Sequence, residues 1–144
     1  MSAASNYLED KLLDHTLKYA TAPYVAPSTL YLALFKSDID AATTAANLEA
    51  GTTTTNEVSA TGTAYARTAV TFASASSGTS ATNATVTFAA ATASFGTVTH
   101  IAVVDSATRG AGNVLFYGAV TTSKTIDTGD TFQVSSGNLT ISLA

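Results

Sequence analysis

Apolar and polar residues alternate with a period of two over much of the chain, the signature of strands that bury one or both faces. The strongest runs are residues 98–104 and 114–120. In the first, Val98, His100, Ala102 and Val104 share one face, while Thr99, Ile101, Val103 and Asp105 share the other. Both faces carry apolar groups, which predicts a strand in the middle of a sheet or between two layers. In the second, Val114, Phe116, Gly118 and Val120 face one way, and Leu115 and Tyr117 the other. Asp105, Gly110, Gly112 and Asn113 supply turn chemistry between the runs, so the pair reads as a central hairpin.

Towards the N-terminus the period lengthens. Leu8, Leu12, Thr16 and Tyr19 recur at helical spacing, widened by Leu13, Leu17 and Ala20. Ser5 or Asn6 can cap this helix, Glu9 can reach back as in a capping box, and Pro23 bounds it. The expectation is an amphipathic helix over residues 5–21, laid on the sheet of its own subunit or on a partner. Residues 30–36 then read as a buried strand, with Leu30, Leu32 and Leu34 opposite Tyr31, Ala33 and Phe35. Residues 37–62 turn to Ala, Thr, Asp and Glu, with Leu48 and Val58 isolated. They are expected to form a long surface loop, either functional or disordered alone, with an adjacent subunit as the candidate that would order it.

Residues 68–73 and 84–88 carry Val70 and Phe72, then Val86 and Phe88, at spacing two, around a polar turn at 74–83. They predict a second hairpin. Alternation over 131–134 and 139–143 completes about eight strands. The fold class is mainly β: a β-sandwich or jelly-roll-like domain with one N-terminal amphipathic helix. All of 1–144 forms one domain, with residues 65–144 and the strand 30–36 in the main sandwich.

Composition changes the picture in one respect. Charged residues make up 11% of the 144 residues, against about 25% for an ordinary soluble domain. A Thr- and Ala-rich surface so poor in charge suits a chain packed against neighbours. A formal charge of −4 with no basic cluster argues against nucleic acid as a partner. No window approaches the roughly 20 apolar residues of a membrane helix, the N-terminus lacks the apolar core of a signal sequence, and the absence of Cys excludes thiolate metal sites.

Catalytic chemistry finds little support. Asp127-Thr128-Gly129 matches the aspartic-protease triplet, yet Asp130 follows where those enzymes prefer a small residue, and a turn explains all four. Asp105, Asp127 and Asp130 lack the regular spacing of a calcium loop. His15 and His100 have no partner at ligand spacing. Arg109-Gly110-Ala111-Gly112 precedes no helix that would hold a phosphate. Arg67 can pair with Glu57 or Asp105 across a subunit boundary, or simply on the surface. No catalytic, cofactor or metal site is expected.

The order of several short pieces resembles a family of small virion structural proteins of tailed bacteriophages, labelled tail-fibre-like or head-decoration proteins. These pieces are Asn6-Tyr7-Leu8-Glu9 with Leu12-Leu13-Asp14-His15; Leu30-Tyr31-Leu32-Ala33-Leu34; Tyr65-Ala66-Arg67; Phe95-Gly96-Thr97-Val98-Thr99-His100; and Gly129-Asp130-Thr131 with Leu139-Thr140. The resemblance implies a non-enzymatic protein of the virion, assembled in the host cytoplasm. The leading expectation is a capsid cement protein that bridges major capsid subunits as a dimer or trimer. The alternative is a tail-tip, baseplate or tail-fibre component in host attachment, with Tyr24, Tyr65 and Tyr117 as glycan-stacking candidates. Expected partners are the major capsid protein and copies of the chain itself, contacted through Tyr7, Leu8, Leu12, Leu48, Glu57, Arg67 and Arg109.

Overall fold

The computed structural model describes residues 3–18, 24–37 and 56–143. Along them run β1 (Ala3–Ala4), α1 (Asn6–Leu17), β2 (Leu30–Phe35), β3 (Thr68–Val70), β4 (Thr79–Ala81), β5 (Val86–Thr87), β6 (Gly96–Val104), β7 (Val114–Ile126), β8 (Gln133–Val134) and β9 (Thr140–Ser142). Five strands form an antiparallel sheet in the order β1-β7-β6-β2-β3, and the pairs β4-β9 and β5-β8 form two small antiparallel sheets. The fold is mainly β with a single helix at the N-terminus among the described residues.

The central hairpin is present and longer than its apolar core. β6 lies third of five, between β7 and β2, as a strand apolar on both faces should. One face of the sheet presents Leu32, Leu34, Val70 and Val103 to Val86, Phe88, Phe132 and Ile141 of the opposing layer. The other gathers Ala33, Phe35, Ala102, Val104 and Val114, with Tyr31 and Tyr117 against them. The alternation read along β2 is therefore correct, whereas that along β7 is not. Val103 faces Phe116 but Val104 faces Val114, so Leu115 is an extra residue, and Val114 and Phe116 fall on opposite faces. A second irregularity sets Val98 against Lys124 and His100 against Ala119, leaving 120–123 of β7 opposite Thr99 alone.

The second hairpin forms in a different register. Phe72 bridges Thr82, and Ala73 and Thr71 bond Ala81 and Asn83, so the return strand starts within the expected turn. β4 pairs with β9, and β5 pairs with β8 rather than with β3.

α1 starts as expected and packs differently. Ser5 is the N-cap, its Oγ accepting from the Leu8 amide at 3.2 Å. Glu9 therefore sits one position too late for a capping box. The helix ends at Leu17, and residues 19–21 of the expected helix lie outside the described residues. Leu8 alone in it is buried, while Leu13 is 55% and Leu17 80% exposed. The geometry explains the difference: at 3.6 residues per turn, Leu13 and Leu17 are rotated by about 140° and about 180° from Leu8. The helix has two apolar faces, and the domain uses one.

Candidate functional site

Both arginines of the chain meet at one place. The strand lane beside β2 that β3 leaves is filled by residues 56–58: the Lys36 amide donates to the Asn56 carbonyl, and the Val58 amide to the Leu34 carbonyl, both at 2.9 Å. This buries Glu57 and Val58, so two residues of the expected 37–62 surface loop are core while 59–62 are exposed; residues 38–55, with Leu48, lie outside the described residues. Arg67 Nε donates to Glu57 Oε1 and Nη2 to Oε2, each at 2.9 Å, with the side chains 0% and 1% exposed. The pair joins two segments of one chain in its interior, rather than two subunits or two surface groups.

The remaining donors lock the hairpin turn. Arg67 Nη1 donates to the Ser106 and Ala111 carbonyls at 2.9 Å. In return, Arg109 from that turn donates through Nε to the Val58 carbonyl and through Nη2 to the Glu57 carbonyl, also at 2.9 Å. Each segment thus contributes an arginine that grips the other's backbone. Asp105 holds the same turn, its carboxylate accepting from the Asn113 amide at 2.6 Å and from Asn113 Nδ2 at 2.8 Å. A Cβ on Gly112 (φ +76°) would overlap Asp105 Oδ1.

Tyr65 completes the junction from the core side. Its hydroxyl donates to Glu57 Oε1 at 2.9 Å and accepts from the Leu34 amide at 3.0 Å. Its ring stacks on Phe88 and meets Phe95 edge-on. Burial, and then the charge of Glu57, raise its pKa well above 10.0. As a core residue it has no free face for a glycan.

Tyr24 is half-buried, and burial, then Tyr7 and Asp105, raise its pKa. The Ser5 amide donates to the Leu115 carbonyl at 2.9 Å, which sets the start of α1 at the Val114 end of β7. Tyr7 carries Lys11 Nζ over its ring at 5.8 Å, and Leu12 and Tyr117 are half-buried. The 127–130 turn is exposed; the Asp127 amide donates to Asp130 Oδ2 within it, and Ser94 Oγ donates to Asp127 Oδ1 from outside it. The His100 ring is engaged by Thr99 at 2.9 Å. Among the described residues no three His, Cys, Asp or Glu side chains group to hold a metal, and no helix is long and apolar enough to cross a membrane.

A concavity among the described residues is one that strand alternation could not reveal. A half-open groove of about 620 Å³ separates β6–β7 from β8–β9. Ile101, Phe116 and Val120 form one wall, Phe132, Val134 and Leu139 the other, and Thr121, Thr122, Gln133 and Asn138 stand at the rim. No charged side chain lines it. A smaller cavity of about 180 Å³ shares Val103, Phe116 and Ile141 with it. The sandwich is unfilled along its β7 side.

The molecule has an interior junction of polar side chains that ties its segments together, and an uncharged groove of mixed polar and apolar lining. Comparison with known proteins places it more closely: the chain belongs to the family described as podophage GP4 fiber I protein gp80, whose model matches residues 3–142. The family supports a phage virion structural protein of tail-fibre-like kind. No curated protein matches the chain.

Proposed function

We propose that the protein is a non-enzymatic structural component of a phage tail fibre, attached to other tail proteins and contributing to host attachment. The observation that carries this reading is the family match, which spans residues 3–142 and names a fibre protein. The exposed leucines of α1 and the uncharged groove supply contact surface of the kind such a component needs. The capsid cement reading draws on the same surfaces, and the family description favours the fibre over it.

Quantitative mass spectrometry of purified particles, with immunogold labelling of the chain, separates the two. A fibre component is present at a small fraction of the major capsid protein and labels at the tail. Labelling over the whole shell, at a simple ratio to the major capsid protein, would replace the fibre by cement.

A further inference from the structure

The groove between β6–β7 and β8–β9 combines three features. Its walls are apolar: Phe116 and Val120 stand against Val134 and Leu139, packed on the core from within yet only half-buried, so each keeps part of its surface uncovered. Its rim is polar without charge. Thr121 and Thr122 stand on the β7 side, Ser135 and Asn138 on the turn between β8 and β9, and all four are exposed. Among the described residues no group of the chain bonds these four side chains, whereas Gln133 beside them already donates to Thr87 Oγ1 at 2.9 Å. The third feature is the irregularity of β7. Residues 120–123 stand opposite Thr99 alone, and this bulged segment is the one that brings Thr121 and Thr122 to the groove. Bulges beside binding sites re-aim side chains in this way.

These features select among ligands. A charged ligand would find no counter-charge in the lining. A wholly apolar one would cover hydroxyl and amide groups without bonding them. A peptide strand would add to the outer edge of β7, which has no described strand beside it beyond Tyr117, but residues 120–123 break the even ladder such a strand needs. A neutral sugar meets every condition. Its hydroxyls donate and accept, as do the Thr and Ser hydroxyls and the Asn amide, and the C–H face of its ring is apolar, like the walls. The volume of about 620 Å³ is that of a small-ligand site. We propose that the groove binds neutral carbohydrate. Thr121 and Thr122 bond sugar hydroxyls from one rim, Ser135 and Asn138 from the other, and the C–H faces lie on Phe116 and Leu139.

The proposal deepens the fibre reading and rests on its host-attachment part, which makes the host surface the source of the sugar. The two fail separately: a chain that labels the tail yet binds no sugar breaks this proposal alone, and one that binds sugar but labels the whole shell breaks the fibre reading alone. Saturation-transfer NMR of the full chain tests the site, with glucose, galactose, rhamnose and N-acetylglucosamine as probes and glucuronate as the charged counterpart. At least one neutral sugar should receive magnetisation, and glucuronate should bind more weakly than glucose. N138A and T121A/T122A should each weaken binding about tenfold, with circular dichroism unchanged because the positions are exposed. Transfer to none of the neutral sugars, equal binding of glucuronate, or unchanged affinity in both variants would overturn the proposal. So would a mixture of random heptapeptides that shifts the β7 amide resonances where no sugar does, which would mean a strand-adding edge instead.

Discussion

At the scale of single residues, the molecule depends on a few polar groups in its interior. Arg67→Ala would leave the Glu57 carboxylate buried without its arginine counter-charge, and should cost about 3–5 kcal/mol in urea unfolding. Removing both charges with Glu57→Gln and Arg67→Met should cost clearly less, because no orphaned charge remains. Tyr65 links this junction to pH. Below its ordinary value of 10.0 the phenol is protonated in both states and contributes no slope. Above it the unfolded chain releases the proton while the folded chain holds it, so stability falls as pH rises. Tyr65→Phe should show a shallower loss of stability above about pH 10 than wild type. Glycine supplies a third contrast. Gly112→Ala should destabilise by more than the roughly 1–2 kcal/mol of a left-handed backbone, because its Cβ meets Asp105 and Ser106. Gly129→Ala, at φ +91° with open space around it, should cost the backbone term alone.

At the scale of elements, Ser5 matters more than the helix it starts. It caps α1, and its hydroxyl also donates to the Val114 carbonyl, so one side chain fixes both the helix and its place on β7. Ser5→Ala should cost about 1–2 kcal/mol, read by thermal unfolding and by helix dichroism. Leu17→Gln should leave stability within about 0.5 kcal/mol. The same contrast marks what could be read from sequence. A cap and a helical period are local signals, and both were legible. Which leucines are buried depends on where the sheet meets the helix, and no local signal carries that. The faces of β2 were legible because its pairing is regular from Tyr31 to Phe35. Those of β7 were not, because an extra residue at Leu115 exchanges faces without changing the residues' hydrophobicity. Val58 read as isolated because its company comes from residues distant in sequence. The pairing of Arg67 with Glu57 was foreseeable in a chain so poor in charge; its burial within one subunit was not.

At the scale of the whole molecule, the sandwich is open along one side, and α1 keeps Leu13 and Leu17 exposed on the side away from Leu8. The groove escaped sequence reading because its walls, Ile101 and Phe116 against Val134 and Leu139, are ordinary strand residues; only the spacing of the layers leaves them partly uncovered. The closure of β1 onto β7 also orders events in time. Ser5 finds Val114 across 109 residues of chain, and such a long loop must close before either end is stabilised. During synthesis its partner follows by roughly 5 to 20 seconds at ordinary elongation rates. β1 and α1 are thus made before the hairpin that receives them, and take their place on β7 only once it exists.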